Sequence, residues 1–254
     1  MIEQSLIALE ATHGIRILYA CESGSRAWGF ASDDSDYDVR FIFAYPRDRY
    51  LRLDDPRDTI EQMSDELDFT GWDIRKALRL LRNTNPALLE WLSSPIVYRS
   101  VGTLHDELVA ISQRFHAPLA IHWHYLKMAR GNFAQYIANP AERGERVLTK
   151  KYLYVVNPLA KLLYYERHHA LPPLELDAAL AGLALPTDLR AELEQLIALK
   201  RSGWELGRGP ISATLNAWIV AEMTRLQASA PPPTKHPELT AILDELLTRV
   251  LAEG

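Results

Sequence analysis

Cysteine is almost absent from this chain. Cys21 stands alone among 254 residues, which excludes an internal disulfide and any zinc site built on paired thiolates. Positive charge is also in deficit: 28 Lys and Arg against 33 Asp and Glu leave a net charge of −5. A uniformly basic nucleic-acid-binding surface is thereby excluded, although local basic patches are not. Long apolar runs are missing, and none approaches the length of a membrane span. No basic start followed by an apolar stretch marks a secretory signal. The expectation is a soluble, cytoplasmic protein without membrane contact. Internal repeats and low-complexity tracts are absent as well. What remains is 48% apolar residues, enough for a sizeable core in one large domain or two ordinary ones. Cys21 closes an apolar run and reads as a small buried hydrophobe; a catalytic thiol is the alternative, with no histidine paired to it locally.

Residues 22–43 carry the chemistry. The apolar run 15–20 reads as a buried strand closed by the turn Ser23-Gly24-Ser25, followed by a short helix through Ala27 and Trp28. Residues 37–43 read as a second strand, rich in β-branched and aromatic side chains. Asp36 and Asp38 lie two positions apart on that strand and share a face. Two acids on one face repel unless a cation or proton neutralises them, and Mg2+ suits oxygen donors and usually arrives with substrate phosphates. Gly24 and Ser25 supply the complement. A small residue at a strand end lets a phosphate approach the backbone, where amides opening the next helix can bond it. The bland alternatives are a plain turn and a solvated acidic loop. A calcium loop is excluded, because an EF-hand needs Gly where Val39 stands and an acid where Tyr45 stands.

Residues 2–12 predict a helix stopped by His13-Gly14. Residues 45–57 are charged and proline-punctuated, a loop or lid in which Arg47, Arg49, Arg52 and Arg57 either reach for a triphosphate or are simply solvated. Residues 59–63 and 66–70 predict a hairpin turned at Ser64-Asp65 and broken by Gly71. Trp72 then opens a helix to Arg82, with Ile74, Ala77, Leu78 and Leu81 on its core face and Arg75, Arg79 and Arg82 as a basic stripe. Asn83-Thr84-Asn85-Pro86 stops it, and Pro86 suits the first turn of a helix to Leu92. From Val101 onward no convincing strand recurs. Helices are predicted over 102–114, 118–138, 146–169, 187–202, 211–228 and 237–251, punctuated by Pro172-Pro173 and a stiff linker at Pro231-Pro232-Pro233. The organisation expected is a catalytic domain over 1–100 and a helical domain over 101–254 that closes over the active-site cleft.

A metal-and-phosphate site on such a sheet calls for a third acid from a neighbouring strand, which would also polarise a nucleophilic hydroxyl. Asp68, on the strand-like Leu67-Asp68-Phe69, is the candidate. Asp73 competes, although an acid just after Gly71-Trp72 is also expected for purely structural reasons at a helix start.

Gly-Ser, a spacer and Asp-x-Asp on a strand resemble the signature of the DNA polymerase β-type nucleotidyltransferase superfamily. The fuller wording, Gly24-Ser25-Arg26-Ala27-Trp28-Gly29 with Ser35-Asp36-Tyr37-Asp38-Val39-Arg40, is similar to the YcgL/RlaP-type family of predicted nucleotidyltransferases, some of them associated with RNA repair. The similarity continues through residues 71–78 and 85–92 and covers roughly the first hundred residues. It thins beyond them to residues 124–129 and 151–154. Where the family usually shows arginine before a proline, this chain has Asn157-Pro158.

The resemblance implies an α+β fold: a nucleotidyltransferase head, a short mixed sheet with flanking helices, followed by an all-α helical domain. The implied reaction moves a nucleoside monophosphate from a nucleoside triphosphate to an acceptor hydroxyl, with release of pyrophosphate. Asp36, Asp38 and Asp68 would hold Mg2+, with Mn2+ as a substitute; Asp68 would activate the acceptor. Gly24, Ser25 and Arg26 would bind the triphosphate. An RNA end, a small molecule and a protein hydroxyl all remain open as acceptor. The non-enzymatic alternative is a silent nucleotide- or RNA-binding module, which has no need of three clustered acids. Arg146, Lys150, Lys151, Lys161 and Arg167, interleaved with Tyr152, Tyr154, Tyr164 and Tyr165, either grip phosphate and stack a base or form an ordinary solvated face. Lys200 and Glu205, near Gly207-Arg208-Gly209, are candidates for lining the cleft. His122 and His124 lie two apart on a helix and cannot share a face, so they are no metal pair; His168-His169 fails the same test.

Overall fold

The first helix, α1 (Ile2–His13), buries Leu6 and Leu9 and stops where Gly14 turns left-handed at φ 61°, a conformation glycine adopts without strain. The protein is described here from a computed structural model covering residues 1–32, 35–64, 67–139, 147–202, 208–209 and 211–253, with backbone alone at 147–149 and 208. Expectations that fall on Asp65, Glu66, Arg146, Glu205 and Gly207 lie outside the described residues.

Five strands form one mixed sheet: β1 (Arg16–Glu22), β2 (Tyr37–Ala44), β3 (Thr59–Met63), β4 (Leu67–Asp73) and β5 (Val97–Ser100), in the order β3-β4-β2-β1-β5. β2 and β4 run parallel, and the other neighbouring pairs are antiparallel. Val39, Phe41 and Phe43 alternate along β2 and join Phe69, Ile17, Leu6 and Leu9 in a buried cluster on one face. Period two therefore sends Asp38 and Arg40 to the other face.

Gly71 does not break the hairpin. It lies inside β4 opposite Phe41, and a β-carbon on it would stand 2.1 Å from Phe41 Cε2. The glycine is a seat for that ring, the close-approach use of glycine within a strand. β4 consequently runs on to Asp73, and α3 spans Ile74–Arg82 instead of starting at Trp72. Trp72 stays in the strand and stacks on Trp91 with ring centroids 3.7 Å apart. The core face of Ile74, Ala77, Leu78 and Leu81 is buried as its spacing predicts. α4 (Pro86–Leu92) opens under Asn85, whose side chain accepts from Leu88 N. Residues 45–57 contain a short 3-10 helix, Arg47–Leu51. β5 has no counterpart in the sequence reading, because four residues exposed at both ends carry no apolar alternation.

By contacts the chain divides into two compact units. One comprises Met1–Ala27, Asp36–Ala117 and Thr234–Gly254; the other comprises Trp28–Ser35 and Pro118–Pro233. The first holds the sheet, α1, α2 (Gly24–Ala27), α3, α4, α5 (Leu104–Phe115) and the C-terminal helix Leu239–Ala252, which packs on α3. The second is helical. Its elements are Pro118–Asn132 continued by a π-helical turn Phe133–Ala138, then Thr149–His168, Leu176–Ala181, Thr187–Arg201 and Ala213–Ala228. The helix at Leu176–Ala181 is an addition to the expected set. So is a two-residue ladder joining Val147–Leu148 to Arg208–Gly209, in a region where no strand was expected. Phe30 is fully buried in this unit's core, and its neighbours are tied there: Leu176 N donates to Trp28 O at 3.0 Å and Arg201 Nε to Gly29 O at 2.8 Å. Among the described residues no helix is long and apolar enough to cross a membrane. An α+β head followed by a largely helical part is thus the fold.

Gly71→Ala should cost about 1–3 kcal/mol, the usual penalty for overpacking a core, and Phe41→Leu in the same background should recover part of it. Urea unfolding of the single and double variants measures both. A Gly71→Ala protein as stable as the parent would refute the close contact.

Candidate functional site

In the parallel register of β2 and β4, Asp38 stands opposite Asp68. Side chains at paired positions emerge on the same face, so the repulsion of two carboxylates is built into the strand pairing. Arg40 answers it from two residues further along β2. Its Nη2 donates to Asp38 Oδ1 at 3.0 Å and to Asp68 Oδ2 at 2.9 Å. Its Nη1 donates to Asp68 O at 3.0 Å and Val39 O at 3.2 Å. The side chains of Arg40, Asp38 and Asp68 are 16%, 29% and 30% exposed, so the group is partly desolvated yet open to solvent. Burial raises the Asp38 carboxyl above its ordinary value; Arg40 opposes the rise, and Asp68 and Asp36 add to it.

The Gly-Ser turn lies directly on this pair. Ser23 N donates to Asp38 O at 2.8 Å, and the one-turn helix α2 (Gly24–Ala27) follows. Gly24 has φ 60°, and a β-carbon on it would stand 1.9 Å from Asp38 Oδ2. Glycine alone meets both conditions. Beneath the turn, the fully buried Glu22 accepts from Asp38 N through Oε1 at 2.8 Å and from the Tyr98 hydroxyl through Oε2. Arg26 Nε donates to Asp36 O at 3.2 Å, and its guanidinium lies 4.0 Å above the Tyr37 ring.

Asp36 precedes β2 by one residue instead of lying on it, and is exposed. The structure therefore brings Asp38, Asp68 and Gly24 together and leaves Asp36 at the strand's entrance. Among the described residues no group of three or more His, Cys, Asp or Glu side chains is gathered closely enough to hold a metal ion. The donors that do meet are carboxylate oxygens beside a turn with no side chain in the way, which fits a hard divalent cation such as Mg2+.

Asp73 occupies the opposite face of β4, where it is buried and caps α3 by accepting from Arg75 N at 2.8 Å. Tyr50 OH donates to its Oδ2 at 2.5 Å. Of the loop arginines, Arg52 pairs with Asp48 and the Arg49 guanidinium lies 5.5 Å from the Tyr45 ring centroid. In the basic stripe Arg75 pairs with Asp55, whereas Arg79 and Arg82 are exposed beside a cavity of about 320 Å3 that Leu243 and Asp244 of the C-terminal helix also line. In the helical unit Tyr152 and Tyr165 are core residues, and Lys161 is buried with Nζ 5.4 Å from the Trp28 ring. Lys200 is buried too and donates to Ser32 Oγ at 3.0 Å. Lys151 lies over Tyr136 at 3.8 Å. The Cys21 thiol is fully buried and pushed up to about 12 by desolvation, the state of an inert core residue.

Arg40 and Glu22 lie outside the residues the sequence singles out. Arg40 was within reach, since the parity that pairs Asp36 with Asp38 extends to position 40. Glu22 needed the β1–β2 pairing and Tyr98 needed β5, neither of which periodicity reveals.

With this geometry in view, the chain belongs to the family described as "RlaP: RNA repair pathway DNA polymerase beta family", whose model matches residues 1–249. It is also similar to the "Uncharacterized protein YcgL" of Bacillus subtilis (strain 168), at 38% identity over 254 residues, 99% of this chain and 96% of that one. A solved structure, the nucleotidyltransferase-like protein from Exiguobacterium sibiricum 255-15, matches at 13% identity and a TM-score of 0.31, over 90% of this chain and 75% of its own. That last likeness is too slight to carry an argument. Family membership makes the protein nucleotidyltransferase-like.

The buried Asp73 carboxyl, raised chiefly by desolvation, holds its proton to higher pH in the folded than in the unfolded chain. Its contribution to stability is fully present below the ordinary carboxylate value and is lost as pH rises through the raised one. Asp73→Asn keeps a capping oxygen and cannot ionise. The stability of parent minus variant should therefore fall over the range of pH above the usual Asp value of about 4. Urea midpoints across that range are the measurement, and an offset constant with pH would contradict the assignment.

Proposed function

We propose that this protein transfers a nucleoside monophosphate from a nucleoside triphosphate to an acceptor hydroxyl, releasing pyrophosphate. The observation that carries the reading is the juxtaposition of Asp38 and Asp68 beneath a Gly24 turn that leaves no room for a side chain. Asp38 and Asp68 would hold Mg2+ or Mn2+, with Asp36 exposed at the strand's entrance. A bound divalent ion supplies charge neutralisation and polarises the α-phosphoryl group. Asp68, on the neighbouring strand, orients the acceptor hydroxyl and draws off its proton. Backbone amides at Gly24 and Ser25, with the Ser25 hydroxyl and the charge of Arg26, hold the triphosphate oxygens. The family's description favours an RNA end as acceptor, and the exposed Arg79 and Arg82 offer phosphate contacts. A second reading, a nucleotide- or RNA-binding module without turnover, draws on the guanidinium that bridges the two acids.

Incubation of the purified protein with each labelled triphosphate, Mg2+ and short RNAs should yield labelled RNA and pyrophosphate. Asp38→Asn and Asp68→Asn should each lower the rate by at least about a hundredfold, as expected for loss of a metal-holding or base-acting carboxylate, with melting temperatures close to that of the parent. No transfer with any triphosphate supports the binding module; parent-like rates in either variant overturn the assignment of the acids.

RNA binding should weaken steeply with salt, because each phosphate contact releases counterions. Arg79→Glu/Arg82→Glu should weaken it at low salt and flatten the slope. A binding curve insensitive to salt in the parent points instead to a small-molecule or protein acceptor.

A further inference from the structure

Building on that reading, we propose that Arg40 is a resident counter-ion that competes with the divalent ion for Asp38 and Asp68, and so ties metal loading to nucleotide binding. One nitrogen, Nη2, reaches an oxygen of both carboxylates, at 3.0 and 2.9 Å, which is the bridging position a shared cation takes. The guanidinium is held there by its other arm, through Nη1 to the carbonyls of Asp68 and Val39. Two of the four carboxylate oxygens are thus committed to Arg40. Asp38 Oδ2 faces the Gly24 turn, where a β-carbon would touch it. A divalent ion that takes the two oxygens Arg40 holds must displace the guanidinium, and a displaced guanidinium on a partly desolvated face needs another anion. A triphosphate is such an anion, and the planar fork of arginine is suited to phosphate oxygens. Metal and nucleotide therefore enter together: metal alone meets a competitor, whereas metal with triphosphate gives the competitor a partner.

The test is Mn2+ binding, followed by the loss of the free-ion electron paramagnetic resonance signal, with and without a non-hydrolysable triphosphate. Without nucleotide, Arg40→Gln should bind Mn2+ at least roughly tenfold more tightly than the parent, the scale on which a neighbouring arginine alters a carboxylate's hold on a proton. The triphosphate should tighten Mn2+ binding in the parent and do so much less in the variant. Arg40→Lys, which keeps the charge without the fork, should fall between the two and decides the matter if Arg40→Gln does not fold. An arginine that merely braced the strands would give looser Mn2+ binding when removed. Parent binding that requires Asp38, as judged with Asp38→Asn, but is not tightened in either Arg40 variant overturns the competition alone. Binding absent in every form, or indifferent to Asp38→Asn, overturns the metal reading and this proposal with it.

Discussion

Parallel pairing of β2 with β4 leaves Asp38 and Asp68 no way to avoid each other. Like charges held at adjacent positions in a partly desolvated place have to be neutralised, and the residues around the pair are arranged about that constraint. Arg40 shares the face because it follows Asp38 by two, and it spans both acids through one nitrogen. The Gly24 turn lies against the remaining oxygen of Asp38. Glu22 takes the backbone N–H of Asp38 and is itself held by Tyr98 from β5 and, through its main chain, by Ser94 and Ile96. The surroundings of one pair of acids thus span four strands and a turn.

The opposite face of the same strands explains why the acids stay in place. Val39, Phe41 and Phe43 project into the core under α1, and the ring of Phe41 rests where Gly71 has no side chain. β4 can lie flat beside β2 only because of that vacancy, and the register that pairs Asp38 with Asp68 is the register that pairs Phe41 with Gly71. Packing on the buried side and charge on the solvated side are two readings of one alignment.

This double use also accounts for what sequence reading recovers here. Its β-branched and aromatic content made β2 legible, and 3.6-residue spacing made the core face of α3 legible. The Gly-Ser turn and the acids at 36, 38 and 68 were legible as residue types. Their positions were less so: Asp36 falls just short of the strand, and the contact of Gly24 with Asp38 depends on a turn geometry that composition does not encode. Gly71 misleads because a glycine chosen for close approach and one chosen to end a strand look the same in one dimension. β5 is set by its partner β1 and not by its own pattern. Arg40 follows from parity alone, yet its bridging role depends on which strand lies next to β2, and that is long-range information.

The division of the chain bears on how this protein could be taken apart. It passes from one unit to the other at 27/28, 35/36, 117/118 and 233/234, so the signature stretch leaves the first unit after Ala27 and rejoins it at Asp36. Phe30, at the centre of that excursion, belongs to the helical unit's core. A contiguous cassette carrying the Gly-Ser turn and the acids would therefore carry an apolar plug with no socket. A fragment ending at residue 117 would lack both the core that Phe30 fills and the C-terminal helix that packs on α3. Recombination that shuffles whole domains has no single junction at which to cut.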